Sequence, residues 1–127
     1  MLENVKKLLE KDDVSFTLND NETEEVITFG LELSFSSVNV EFSYDKVEKM
    51  YRFYTELLEF NDESYEDGLG LVNDINYNAI YLKSYLDDDN VLCAEYYLDG
   101  ENKLTDSLID DLLSDLVNLE ELLEEYI

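Results

Sequence analysis

Strict alternation of apolar and polar residues is the feature that most constrains this chain. Apolar residues fall on every second position from Ile27 to Tyr44, interrupted only by Ser36-Ser37. They are Ile27, Phe29, Leu31, Leu33, Phe35, Val38, Val40, Phe42 and Tyr44. Successive side chains of a strand point to opposite faces, so this period predicts strands with one buried and one polar face. A shorter run at 14–18 completes a predicted three-stranded antiparallel meander.

Helical spacing marks three other segments. Residues 2–11 and 69–80 each place their apolar residues on one side at a period near 3.6. A third helix is predicted from Asp45 to about residue 60. There, Asp45 and Glu48 have the spacing of a capping box, and apolar residues follow at helical intervals.

A β-hairpin is predicted in the second half. Residues 81–86 and 91–98 are typical of strands, and Asp87-Asp88-Asp89-Asn90 joins them. Several carboxylates in one loop can bind a hard cation. A calcium loop counted from Asp87 would place Val91 and Leu92 where it needs an oxygen ligand and a glycine. We therefore interpret this segment as a solvated turn and predict no metal site.

The last segment has the most regular helical pattern. Thr105 is a predicted N-cap, and apolar residues recur every three or four positions from Leu108 to Tyr126. The opposite face carries eight acids and no base. These acids are Asp106, Asp110, Asp111, Asp115, Glu120, Glu121, Glu124 and Glu125.

Together these elements predict the α+β class. We expect an antiparallel sheet of about five strands with helices packed on it, in the order α-β-β-β-α-α-β-β-α. The chain has 127 residues, no Pro and four Gly, so nothing in its composition marks a linker. A single acidic α+β domain over 1–127 is the expectation.

The net charge excludes several functions. The chain has 33 Asp and Glu against 8 Lys and Arg, a net charge of −25. Nucleic acid and anionic membranes attract basic surfaces, so we expect direct binding to neither. Residues 1–60 hold 14 acids and 6 bases, whereas residues 61–127 hold 19 and 2. This concentration favours a surface that attracts the basic surface of a partner protein.

The composition also argues against an enzyme. His is absent, which removes the commonest general base and metal ligand. Cys93 is the single cysteine, and its acidic neighbours disfavour a thiolate. Gly68-Leu69-Gly70 lacks the lysine and spacing of a phosphate-binding loop. We therefore predict a non-enzymatic protein without cofactors, located in the cytoplasm of a bacterial host or a phage-infected cell.

The predicted partner-binding site combines the acidic turn, the acidic helix face and two tyrosines. Carboxylates would supply the electrostatic contact, and Tyr is enriched in interfaces. Its residues are Asp87, Asp88, Asp89, Asp106, Asp110, Asp111, Asp115, Glu120, Glu121, Glu124, Glu125, Tyr77 and Tyr96.

The order of motifs in the second half carries a family resemblance. Residues 72–78 contain spaced Asn residues at positions 73, 76 and 78, the hairpin over 81–98 follows, and an amphipathic helix begins at Thr105. This half resembles the YbjN-like family of sensory regulators, which shares its fold with type III secretion chaperones. The resemblance implies a non-enzymatic regulator or adaptor that binds an extended peptide.

The charge alone carries a second resemblance, to the nucleic-acid-mimic inhibitors of phages. Carboxylates spaced at about one per helical turn can imitate phosphates and occupy a basic groove. An inhibitor of this kind would act on a nucleic-acid-binding protein, in the manner of anti-restriction or anti-CRISPR proteins. We take the mimic as the first hypothesis and the YbjN-like adaptor as the alternative, with a homodimer through the last helix left open.

Overall fold

The computed structural model describes residues 1–126, which form one antiparallel sheet with helices packed on it. The helices are α1 (Glu3–Lys11), α2 (Tyr65–Asn78), α3 (Asp106–Val117) and α4 (Glu120–Glu124). The strands are β1 (Phe16–Asp20), β2 (Glu24–Glu32), β3 (Ser37–Asp45), β4 (Met50–Glu59), β5 (Lys83–Leu86) and β6 (Val91–Asp99). The α+β prediction is confirmed, with six strands where about five were expected.

The strands lie in the order β1-β2-β3-β4-β6-β5. The predicted meander forms β1 to β3, in which Ile27 lies opposite Phe42. Phe42 in turn lies opposite Phe53 of β4, and the two rings meet edge to face with centroids 5.0 Å apart. The alternation of apolar residues therefore becomes a continuous row of side chains across the centre of the sheet.

The helix predicted from Asp45 to residue 60 is wrong, because this segment forms a hairpin turn and β4. The Asp45 side chain accepts hydrogen bonds from the N–H groups of Val47 and Glu48, as a helix cap would. The chain then turns back through Lys49, whose φ is +56°. Buried and outward-facing residues also alternate with a period of two over residues 51–57. Pairing with β3 buries Phe53 more completely than one face of an isolated helix would.

The helices pack on one face of the sheet. Buried residues from all four helices belong to the same cluster as the inward-facing strand residues. The helical contribution consists of Val5, Leu9, Leu71, Ile75, Ile109, Leu112, Leu116 and Leu123. Across residues 1–126, no helix has both the length and the apolar character needed to cross a bilayer.

The helix predicted after Thr105 divides in two. Thr105 caps it as expected, since its hydroxyl oxygen accepts a hydrogen bond from the N–H of Leu108 at 3.1 Å. The i→i−4 pattern is then interrupted at Leu119, whose N–H donates to the carbonyl oxygen of Leu116 three residues earlier, between α3 and α4. The apolar stripe is buried on both sides of this interruption, so both helices contribute to the same core.

Candidate functional site

The candidate site is the side of the sheet opposite the helices, which we call the uncovered face. It is defined by the outward-facing residues Val26, Thr28, Glu41, Ser43, Arg52, Tyr54, Glu56, Lys83, Tyr85, Cys93, Glu95 and Tyr97. They alternate along each strand with the core residues and do not belong to the core cluster. Most are half-buried or exposed, so residues 1–126 leave this face without a second layer.

Arg52, the single arginine of the chain, lies near the centre of the uncovered face. Its Nη2 and Nε donate to Oε2 of Glu95 at 2.8 and 3.2 Å. The guanidinium also stacks on Tyr54, 4.2 Å from the ring centroid, and lies 5.6 Å from that of Tyr97. The register brings these groups together, because Arg52 pairs with Tyr97 and Tyr54 pairs with Glu95 across β4 and β6.

A second group of contacts surrounds Cys93. The Tyr54 hydroxyl lies 3.0 Å from Oε1 of Glu56 and 3.3 Å from Sγ of Cys93. Burial raises the pKa of both the Cys93 thiol and the Tyr54 phenol above their ordinary values. Both groups therefore stay protonated at neutral pH.

Among the described residues, Glu56, Asp87 and Cys93 form the one cluster whose ligand atoms could hold a metal ion. Their atoms lie within 4.8 Å of one another. However, Oδ1 of Asp87 already accepts the N–H groups of Asp89 and Val91, and the thiol is held protonated. A metal would have to displace that proton and compete with the turn, so the geometry favours a hydrogen-bonded cluster.

This chain resembles known proteins in both sequence and fold. A family model described as "YbjN: Putative bacterial sensory transduction regulator" matches residues 2–115. This chain belongs to the YbjN family. The resemblance predicted for the second half of the sequence is thus confirmed, and it extends over nearly the whole chain.

A solved structure of the same family has the same fold. It is titled "Crystal structure of YbjN, a putative transcription regulator from E. coli" and matches with a TM-score of 0.60 and 15% sequence identity. The match covers 97% of this chain and 87% of that chain. Identity at this level supports a shared fold and carries no residue roles across. No curated protein matches this sequence.

In this YbjN-family chain, the predicted partner-binding residues fall into separate places. Asp87, Asp88 and Asp89 lie in the turn between β5 and β6, where Asp87 is half-buried and the other two are exposed. The Asp87 carboxylate holds the turn through the N–H groups of Asp89 and Val91, each at 2.9 Å. The turn is therefore a shaped hairpin with two solvated carboxylates.

The predicted acids of α3 have different surroundings. Asp106 and Asp110 are exposed, and Oδ2 of Asp111 accepts a hydrogen bond from the Tyr81 hydroxyl at 3.2 Å. Asp115 is only 5% exposed, and its two oxygens accept three backbone N–H groups of residues 80–82. Asp115 therefore has a structural role, because it fixes the backbone of residues 80–82 against α3, and it is not part of an exposed acidic row.

The acids of α4 and the two tyrosines are also divided. Glu120 and Glu124 accept hydrogen bonds from the backbone and hydroxyl of Ser34; Glu120 is half-buried, and Glu121, Glu124 and Glu125 are exposed. Tyr77 is 89% exposed near the end of α2. The half-buried ring of Tyr96 packs edge to face on Tyr81, with centroids 5.9 Å apart.

Sequence reasoning missed the outward-facing group of Arg52, Tyr54, Tyr85, Glu95 and Tyr97. Arg52 and Tyr54 fall in the segment that the sequence predicts as a helix from Asp45 to about residue 60, where they would not face β6. The available signal was the alternation within β4, in which Arg52, Tyr54 and Glu56 occupy every second position. Their association with β6 depends on strands more than 30 residues apart and has no local signal.

Proposed function

We propose that this chain is a non-catalytic regulator that binds an extended, basic segment of a partner protein on the uncovered face. Membership of the YbjN family supports a regulator or adaptor over the other hypothesis from the sequence. The observation that carries the proposal is the half-exposed aromatic group around Arg52 and Glu95, on a sheet face that residues 1–126 do not cover with a second layer.

The aromatic residues would provide the apolar part of the contact. Tyr97 is 52% exposed, and Tyr54 and Tyr85 are half-buried. Tyrosine buries a large area at a small loss of conformational freedom and keeps a hydroxyl for hydrogen bonding. The Arg52 side chain is already held by Glu95 and Tyr54, so this part of the face is ordered before a partner arrives.

The charge of the uncovered face determines which charge the surface of a partner must carry. Glu41 lies opposite Tyr54 on β3, Glu56 lies two residues further along β4, and Glu95 is paired with Arg52, so the face holds three acids against the two bases Arg52 and Lys83. Together with the net charge of −25, this arrangement attracts Lys and Arg side chains and repels acidic surfaces.

The proposal that the chain is not a catalyst rests on the protonation of the Cys93 thiol and the Tyr54 phenol. Cys93 and Tyr54 are the groups of the uncovered face best placed to act as a nucleophile or base. Burial raises the pKa of each, so neither is ionised at neutral pH. The hydrogen bonds of this group therefore serve to hold side chains in place.

A nucleic-acid mimic of anti-restriction or anti-CRISPR type has less support. Such a mimic needs a regular row of exposed carboxylates. Here Asp115 is buried, Glu120 is half-buried beside Ser34, and the helix is interrupted at residues 118–119 between α3 and α4. The comparisons favour the YbjN alternative, and we propose the partner as a protein segment without requiring nucleic-acid imitation.

Binding to a synthetic peptide of alternating Lys and Val residues would test the proposal, with fluorescence anisotropy as the readout. We expect Tyr97→Ala to weaken binding about tenfold, which corresponds to about 1.4 kcal/mol. The matched control is Tyr65→Ala, since Tyr65 is 40% exposed on α2, away from the uncovered face. Its affinity should stay within about twofold of the parent.

Two further measurements make the test decisive. A peptide in which Glu replaces Lys should not bind, and amide shifts caused by the Lys peptide should concentrate in β4 and β6. Equal losses for Tyr97→Ala and Tyr65→Ala, or shifts confined to the helices, would overturn the assignment to the uncovered face.

A further inference from the structure

A second surface lies where α2 leads into β5, at residues 77–82, and we call it the α2–β5 corner. Tyr77 and Ile80 are 89% and 80% exposed there. No other large apolar side chain among residues 1–126 has as much of its surface exposed. Single exposed apolar residues are common, whereas here two large ones lie three residues apart, on either side of the end of α2.

The backbone of the corner is held by the buried carboxylate of Asp115. Its Oδ1 accepts the N–H of Ile80 at 3.0 Å, and its Oδ2 accepts those of Tyr81 and Leu82 at 2.9 Å. On the other side, the Asn78 amide donates to the Asp74 carbonyl oxygen at 2.7 Å. The exposed side chains therefore stand on an ordered backbone, and a partner would not have to order this segment on binding.

The charge around the corner is acidic. Asp74 lies one helical turn before Asn78, and Asp111 contacts the hydroxyl of Tyr81. Asp110 is exposed beside Asp111 on α3. A second copy of the chain would bring the same acids into opposition, which disfavours self-association here. A partner that brings Lys or Arg to this rim would instead be attracted.

We propose that the α2–β5 corner is a docking surface for a basic protein segment whose apolar side chain contacts Tyr77 and Ile80. Tyr77 and Ile80 do not belong to the uncovered face, so this site extends the proposed function, and the two surfaces adjoin at Tyr81, which lines one pocket with Lys83, Glu95 and Tyr97. With two such surfaces, one regulator can contact two segments of a partner. The first contact raises the effective concentration of the second segment at its site and so increases the overall affinity.

The test uses a synthetic 14-residue amphipathic peptide of Leu and Lys, and a second peptide with Ser in place of Leu. Binding is measured by titration calorimetry and mapped by amide shifts. We expect the Leu peptide to shift residues 74–82 and 110–115. The double variant Tyr77→Ser/Ile80→Ser should bind it about tenfold more weakly than the parent, with an unchanged thermal midpoint.

Val47→Ser is the control, because Val47 is 69% exposed in the turn between β3 and β4, where two acids and two lysines flank it. It should bind the Leu peptide as the parent does. Equal binding of the Leu and Ser peptides, or equal losses in Val47→Ser and the double variant, would overturn the corner site. Tyr97→Ala separates the two proposals, since it should spare corner binding while it impairs binding at the uncovered face.

Discussion

The carboxylate of Asp115, a residue that is only 5% exposed, accepts a hydrogen bond from the backbone N–H of Leu82 at 2.9 Å. The N–H groups of the two preceding residues bind the same carboxylate. Three backbone donors immediately before β5 are thereby satisfied by one side chain of α3. This contact connects the last long helix to the edge of the sheet.

Removing this carboxylate should therefore destabilise the whole domain. We expect Asp115→Ala to lower the free energy of unfolding by about 3 to 5 kcal/mol, because it leaves buried donors without an acceptor. Asp115→Asn should lose less, since one side-chain oxygen remains. Urea unfolding followed by circular dichroism gives both values. Asp110→Ala, at an exposed position of the same helix, should change stability by less than about 0.5 kcal/mol.

Substitution of Phe53 tests whether residues 50–59 form a strand. Phe53 is 1% exposed in β4 and contacts Phe42, whereas a helix over 45–60 would turn it away from the apolar side. We expect Phe53→Ala to cost about 3 to 5 kcal/mol in urea unfolding. Val47→Ala, at a 69% exposed position, should be close to neutral. Comparable losses at the two positions would contradict the strand.

Alkaline pH should weaken the fold. Burial raises the pKa of Cys93 and Tyr54 above the ordinary values of 9.0 and 10.0, so the folded state keeps protons that the unfolded state releases. Their contribution to stability is complete below about pH 9 and is lost as pH rises through the folded-state pKa values. Urea midpoints from pH 8 to 10.5 should fall, with a shallower decline in Cys93→Ala and Tyr54→Phe. Identical slopes in the parent and both variants would refute this assignment.

Salt should stabilise the domain. A net charge of −25 produces self-repulsion in the folded state, and added ions screen it. We expect NaCl from 0.02 to 0.5 M to raise the melting temperature by about 3 to 5 °C for each kcal/mol gained. A variant with Asp106, Asp110, Glu121 and Glu125 changed to amides should start from a higher midpoint and gain less. A midpoint that falls with salt would exclude self-repulsion as a major term.

The homodimer suggested by the apolar stripe of the last helix should not form through that stripe. Ile109, Leu112 and Leu116 are at most 1% exposed, so the stripe is already buried in the core of its own chain. Light scattering coupled to gel filtration should report the mass of one chain at 0.1 mM. A dimer that Leu113→Glu disrupts would show instead that the outer face of α3 is an interface.

Several features could be read from short stretches of sequence because local physics decides them. The alternation from Ile27 to Tyr44 produced β2 and β3, since a period of two places every apolar side chain on one face. Thr105 capped α3 because the cap needs only a hydroxyl and an N–H three residues away. The charge likewise follows directly from the composition, and the order of motifs after residue 72 was enough to indicate the YbjN family.

Tertiary structure decided the features that depend on distant partners. Residues 50–57 have spacing compatible with a helix or a strand, and pairing with β3 and β6 selects the strand because it buries Phe53 and Tyr51. The same pairing brings Arg52 to Glu95, a contact that neither local sequence predicts. Asp115 and Asp111 have similar sequence surroundings. Asp115 is buried because residues 80–82 pass over it and donate to its carboxylate, whereas Asp111 remains exposed. The sequence alone therefore determined β2 and β3, the cap and the sign of the charge. The fold determined which charges stabilise it and which remain for a partner, because burial and pairing depend on segments far apart in the chain.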